Sequence, residues 1–276
     1  MSGILAVLAH PDDESFGMGG TLALYASRGS DVYLLCATGG EAGTVDPRFL
    51  QVHKTVAELR ESELRCAAAR LGLTGVFLLG YRDSGMRGTA HNNHPDAHIA
   101  HPVEEVAGRI VRHLRVLRPD AVLTFDPNGV YGHPDHIHVH KATVLACERS
   151  GDPTFCPECG VPYHVPALYF QVLPRRLLKL LVRIMSFFGR DPTRTGRNHN
   201  IDLTSVIANE YPTHVRIDIR PAQRAKEAAL ACHESQGGGN ARRRVRAPFG
   251  GHELFMRSYP PVPTGWRLRR DLLDLA

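Results

Sequence analysis

The feature that most constrains this chain is a series of short apolar runs, each stopping at a polar cluster and each separated from the next by a stretch of helical period. Residues 4–9 end at His10, residues 31–37 end at Thr38, residues 76–79 form a third run, and residues 121–125 end at Asp126. Uninterrupted apolar strands are the kind that a sheet buries on both faces. Between them, helices are predicted over residues 21–28, 55–71, 103–117 and about 134–148. In the third of these, Val106, Ile110, Val111, Leu114 and Leu117 recur at helical spacing and Pro119 marks the stop. Pro134 opens the fourth, where a first-turn residue has no intrahelical donor to lose. Further strands are predicted at residues 167–172 and 215–219, with a helix over 222–232. Strands alternating with helices predict a Rossmann-like three-layer αβα sandwich around a mainly parallel sheet. No repeat or linker is evident, so residues 1–276 are read as a single domain with a variable substrate-loop region at about 150–200.

In such sheets ligands bind beyond the carboxyl ends of the strands. The clusters at residues 10–14, 38–41 and 126–136 all follow predicted strands and are expected to converge on one site. His10-Pro11-Asp12-Asp13-Glu14 places one imidazole and three carboxylates within five residues. Carboxylates crowded in this way repel one another unless a cation compensates them. Tyr131-Gly132-His133-Pro134-Asp135-His136 adds imidazoles at a helix entrance, where first-turn geometry can aim both His133 and His136 into the same crevice. Two histidines and one carboxylate with positions left open to water make a catalytic zinc arrangement. Gly17, Gly19 and Gly20 do not match a dinucleotide-binding glycine pattern, and the preceding carboxylates would repel a pyrophosphate; they read as a tight turn entering a helix.

Charge excludes one class of partner. The net charge is +5 and the clearest basic run, residues 242–246, lies in a Gly-rich stretch; with aromatics at 7% there is no basic stripe interleaved with aromatics, so nucleic acid is not expected. Of six cysteines only Cys156 and Cys159 form a close pair. That is half a zinc ribbon, which Cys147 and His164 would complete only if the loop folded back; a reduced or exposed loop pair is expected. Met1-Ser2-Gly3 runs straight into an apolar strand without the marks of a signal peptide, so the chain is read as cytoplasmic. Residues 175–188 are basic and amphipathic. Such a segment either lies on a membrane surface or covers the pocket mouth with its apolar face packed on the domain; the second is expected, and no membrane partner. The sequence does not set the oligomeric state.

Ala9-His10-Pro11-Asp12-Asp13-Glu14, followed about 120 residues later by His133-Pro134-Asp135-His136, resembles the LmbE-like (PIG-L) family of zinc-dependent N-deacetylases. Gly39-Gly40-Glu41, Arg82-Asp83-Ser84-Gly85-Met86, Asp126-Pro127-Asn128-Gly129 and residues 229–236 extend the resemblance over nearly the whole chain. Arg82-Asp83-Ser84-Gly85-Met86 is similar to the branch that acts on mycothiol and its precursor, N-acetylglucosaminyl-inositol. The resemblance implies one zinc or other divalent metal per chain, held by His10, Asp13 and His136. It also implies Asp12 as the general base that activates water, and a small acylated amino sugar as substrate. The tetrahedral oxyanion would be met by His133, protonated through pairing with Asp135, and by a hydrogen bond from Tyr131. A proton would reach the leaving amine from Asp12 or His133. Glu14 is expected to bond a ligand imidazole from behind, or to cap the following helix. Glu41, Arg60 and Asp83 match substrate contacts in the mycothiol branch, with a helix-surface salt bridge as the alternative for Arg60.

Two other classes use the same residues. Two histidines and one carboxylate also form the facial triad of non-haem iron oxygenases, against which stand the strand-helix alternation and the extra base Asp12. A non-catalytic sugar-binding or membrane-surface protein would have no need of a ligand set and a base together.

Overall fold

The computed structural model describes residues 2–196, 201–240 and 251–274. The chain begins with β1 (Gly3–Leu8), a π-turn at Glu14–Met18 and α1 (Gly19–Ser27), followed by β2 (Asp31–Thr38), α2 (Val56–Leu71) and β3 (Gly75–Tyr81). Next come α3 (Val103–Leu117), β4 (Ala121–Thr124), the short turn α4 (Gly129–Gly132), α5 (Pro134–Arg149) and β5 (Ala167–Val172). Last are α6 (Arg175–Phe187), α7 (Leu203–Ala208), β6 (Val215–Asp218), α8 (Gln223–Cys232) and β7 (His252–Tyr259). The strands form one seven-stranded sheet in the order β3-β2-β1-β4-β5-β7-β6. β3, β2, β1, β4 and β5 pair in parallel, while β7 runs antiparallel to both β5 and β6. This is the mainly parallel sandwich that the apolar runs predict: every residue of β1, β4 and β5 is buried. Helices α1, α2 and α8 contact one another, and α3 contacts α5, giving a layer on each side of the sheet.

Local chemistry sets the helix ends. Thr55 caps α2 by accepting the Glu58 N–H, and Gly72 closes it in the left-handed conformation. In α3 the predicted stripe faces inward, with Val106, Ile110, Val111 and Leu114 fully buried. The reading of Gly17, Gly19 and Gly20 as a turn entering a helix holds, for a clear reason. The first amides of α1 already have an anion: Gly20 and Thr21 donate to the Glu253 carboxylate, 3.0 and 2.7 Å away. A side chain at position 20 would also strike Ile219, 2.6 Å from an ideal Cβ.

Four features differ from the sequence expectation. β7 was not predicted, because its inward-facing positions are Glu253, Phe255 and Arg257, so the usual apolar alternation is inverted. Cys156 and Cys159 are joined as a disulfide rather than reduced, and a second disulfide ties Cys66 of α2 to Cys232 of α8. The loop carrying the first pair does not line the cavity walled by His10, Asp12 and His133. It packs on α3, where the buried Arg115 guanidinium donates to the carbonyls of Ser150, Asp152, Phe155, Cys156 and Gly160. Finally, α6 does not bury its whole apolar face: Leu180, Leu181, Ile184 and Phe187 remain exposed. The basic run at residues 242–246 lies outside the described residues.

Candidate active site

The strand order reverses where β1 has β2 on one side and β4 on the other, which opens a crevice at their carboxyl ends. His10 follows β1, Asp126 follows β4, and the entrance to α5 carries His133, Asp135 and His136. His133 caps α5 with its Nδ1 accepting the Asp135 N–H at 3.2 Å, and Pro134 takes the first helical position. That turn aims Asp135 and His136 inward, both essentially buried. Phe125 at the end of β4 stacks on the His136 ring with centroids 3.9 Å apart.

Groups from the two ends of the site meet closely. His10 Nδ1 lies 3.2 Å from His136 Nε2, and the Asp13 carboxylate is 3.5 Å from the first and 3.3 Å from the second. A tetrahedral divalent cation bonded at about 2.0–2.1 Å holds its ligands about 3.3–3.4 Å apart. The triangle therefore fits one such ion. The other nitrogen of His10, Nε2, lies 3.1 Å from Asp135 Oδ2 and 3.4 Å from Asp83 Oδ1. A carboxylate on Nε2 fixes that proton and leaves the Nδ1 lone pair free to face a cation. The nitrogens of His10, His133 and His136 are also mutually close, as are donors of His10, Asp83, His133 and Asp135.

The electrostatics call for positive charge. Burial opposes ionisation of Asp13, but His136 and His10 hold its carboxyl well below the usual range. Burial also opposes the charge on His10, yet Asp83, Asp13 and Asp135 together raise its pKa well above the ordinary value. His136 and His133 are instead pushed down by burial, to about 4 and about 3.

Asp12 stands beside this triangle and belongs to none of its contacts. Its φ of 128° is a conformation that non-glycine residues rarely adopt, the kind of strain found at functional sites. Burial pushes its carboxyl up to about 6 against the pull of Arg60. Arg60 Nη2 lies 3.1 Å from Asp12 Oδ2 and donates to the Pro11 carbonyl, while Nη1 donates to the Gly40 carbonyl. Gly40 has a φ of 69°, and any side chain there would run into the Arg60 guanidinium. Below Asp12, Glu14 accepts the Asp12 N–H at 3.0 Å through Oε2 and meets His233 Nε2 at 2.7 Å through Oε1.

The structure brings together His10, Asp12, Asp13, Asp83, Tyr131, His133, Asp135 and His136, and revises several partnerships. Asp135 serves His10 and accepts the Ser84 N–H; its carboxylate is 4.0 Å from His133, and the lowered pKa of His133 is that of a neutral ring. Glu14 bonds neither His10 nor His136; its carboxylate meets the Asp12 N–H, Ser15 and His233. Arg60 is buried and pairs with Asp12, so it is no surface salt bridge. Asp83 and Arg60 line the cavity over the site, whereas the Glu41 carboxylate is occupied by the Asp83 N–H at 2.8 Å. Nothing in the sequence singles out His233, although it lies within residues 229–236; only its buried contact with Glu14, 219 positions away, reveals its place. The cavity has a volume of about 380 Å³, and its wall includes His10, Asp12, Arg60, Asp83, Tyr131 and His133. A larger one of about 950 Å³ adjoins it through the shared residue Gln236.

Residues 5–147 match the model of the PIG-L family, described as GlcNAc-PI de-N-acetylase. A 1D-myo-inositol 2-acetamido-2-deoxy-alpha-D-glucopyranoside deacetylase of Streptomyces avermitilis is 37% identical over 244 residues, 84% of this chain and 82% of the relative. Among solved structures, the N,N'-diacetylchitobiose deacetylase of Pyrococcus horikoshii superposes with a TM-score of 0.64 at 22% identity, covering 93% of this chain and 83% of the other. The 4-carboxy-2-hydroxymuconate hydratase GalB of Pseudomonas putida superposes with a TM-score of 0.60 at 20% identity, covering 95% and 98%. A hydratase on the same fold makes the point that the scaffold alone does not set the reaction.

Proposed function

We propose, because the chain belongs to the PIG-L family of GlcNAc-PI de-N-acetylases, that it hydrolyses the acetamide of an N-acetylglucosaminyl group carried on inositol, giving acetate and the free amine. The observation that carries this reading is the close triangle of His10, Asp13 and His136 with a further carboxylate, Asp12, beside it and outside its contacts. In this reading zinc is the ion of the triangle, its geometry and mixed nitrogen and oxygen donors being those of a catalytic zinc site. When bound, a divalent cation there supplies a Lewis acid for the amide carbonyl and acidifies water at its open positions.

The chain's own residues do the rest. Asp12 takes the proton from the attacking water, and Arg60 holds the carboxylate in place while lowering its affinity for protons short of disabling it. Tyr131 lines the cavity, and burial pushes its phenol above the ordinary value, so it stays protonated and can donate to the developing oxyanion. His133 is neutral, with Nδ1 engaged at the helix cap and the opposite ring edge left for substrate. Asp12, once protonated, returns the proton to the leaving amine as the carbon-nitrogen bond breaks. Asp83 lines the cavity as a candidate acceptor for sugar hydroxyls, and Arg60 acts on the base rather than on the sugar. An iron oxygenase would use the same three ligands but would have no role for the pair of Asp12 and Arg60.

The test is direct. Purified protein supplied with zinc is incubated with N-acetylglucosaminyl-inositol, and free amine and acetate are measured. Equal release of both is expected; no release from this or any other acetylated glucosaminide by metal-loaded protein refutes the reading.

A further inference from the structure

Helix α6 has three faces of different chemistry. Leu178, Val182 and Met185, spaced four and three residues apart, are half-buried toward the rest of the protein. Lys179 and Arg183 follow the same spacing on an exposed basic face. Leu180, Leu181, Ile184 and Phe187 make an apolar face open to solvent, extended by Phe188; the last two are 85% and 71% exposed. The helix thus keeps its anchoring face and still presents large aliphatic and aromatic side chains outward. Such a contiguous exposed patch marks an interaction surface.

Charge selects the partner. From Leu173 to Arg190 the sequence holds five cations, Arg175, Arg176, Lys179, Arg183 and Arg190, and no Asp or Glu. A second copy docking through this face would bring that basic segment up against its own copy, since a two-fold interface presents the same patch from both subunits. The exposed face also ends in two phenylalanines, 85% and 71% exposed, with basic side chains alongside. That is the make-up of a helix that lies in the boundary of a lipid bilayer, its apolar side chains below the headgroups and its cations beside them.

We propose that α6 docks the protein on anionic lipid bilayers, lying in the plane of the surface with Ile184, Phe187 and Phe188 inserted and Lys179 and Arg183 against the headgroup phosphates. Leu181 and Met185 line the larger cavity, so docking would bring the mouth of the cavity that adjoins the candidate active site to the lipid surface. No described helix is long and apolar enough to cross a membrane, so this is attachment to one leaflet. The docking stands apart from the deacetylase reading and survives or falls independently of it.

The full chain would be tested by flotation with vesicles of equal parts phosphatidylcholine and phosphatidylglycerol, and with vesicles of phosphatidylcholine alone, over a range of salt. Binding is expected only to the anionic vesicles and should weaken as salt rises. Lys179→Glu together with Arg183→Glu should weaken it at least about tenfold, since one basic residue at an anionic surface contributes about a fivefold preference. Ile184→Asp together with Phe187→Asp should remove it. All four side chains are exposed, so unchanged melting temperatures would show that both variants remain folded. No binding, equal binding to neutral vesicles, or binding untouched by the variants overturns the proposal. So does self-association that the Ile184 and Phe187 variant abolishes in place of vesicle binding, or capture of polyglutamate without any affinity for vesicles.

Discussion

Asp12 occupies a strained φ of 128°, and three contacts from two residues hold it there: Arg60 on its carboxylate, Arg60 again on the Pro11 carbonyl, and Glu14 on its own N–H. In the proposed role of a base that is not a ligand, it can be removed without emptying the metal site. Asp12→Asn is therefore expected to lower kcat by about 10²–10⁴ while metal content, measured on the same sample, stays at the wild-type level. Loss of metal together with activity would instead make Asp12 a ligand. The pair behind it has a pH signature of its own. Burial opposes the charge on His233, but Glu14, with Asp12 and Glu63 adding to it, outweighs that effect and raises its pKa above the ordinary 6.5. A raised folded-state pKa contributes stability in full below the unfolded value and loses it as pH climbs through the folded one. His233→Gln should consequently lower the melting temperature more below pH 6.5 than in alkaline solution, the difference from wild type shrinking as pH rises past the elevated pKa. A difference independent of pH would show that the imidazole is not charged in the fold.

At the scale of elements, the site depends on how strand ends and helix entrances are anchored. The carboxyl ends of β1 and β4 are fixed by parallel pairing in the middle of the sheet, and the α5 cap sets the direction of His136. The end of α8, which delivers His233, is held to α2 by the Cys66–Cys232 disulfide and by Ser235, whose N–H and Oγ both donate to Glu63. Far from this machinery, Arg115 of α3 serves the Cys156–Cys159 loop as a single hub for five carbonyls. Arg115→Ala is expected to cost about 1–3 kcal/mol in urea unfolding, by leaving buried polar groups without partners. It should also open the loop at residues 150–160 to proteolysis while kcat is unchanged, because none of those contacts lines the catalytic cavity. A fall in kcat without a fall in stability would place the loop in the reaction after all.

Across the whole molecule, the opposite effects of an unfilled and a filled metal site should be visible in stability. Asp12, Asp13, Asp83 and Asp135 crowd one crevice that has Arg60 as its permanent cation among the described residues. Anything that binds the folded state alone stabilises it, by about 4 kcal/mol at a concentration about 1,000 times its Kd. Removal of metal with a chelator should abolish deacetylation and lower the melting temperature together, and added zinc should restore both. Restoration of stability by zinc in a His10→Ala, His136→Ala double variant would show that the ion sits elsewhere.

The sequence by itself determined the architecture and the meeting of His10, Asp12, Asp13 and His136. Apolar periodicity is local, and the rule that ligands gather at the carboxyl ends of parallel strands carries motifs from distant parts of the chain to one place. Only the tertiary structure decided which carboxylate serves which imidazole. Asp135 turned to His10 rather than to His133, Glu14 to His233 rather than to a ligand, and Arg60 to Asp12 rather than to solvent. β7 stayed hidden for the same reason, since Glu253 faces inward to meet the amides of α1 and Lys226. Each of these choices follows from burial, which forces a polar group to accept whatever partner lies within hydrogen-bond reach, and that partner comes from packing between segments far apart in the chain.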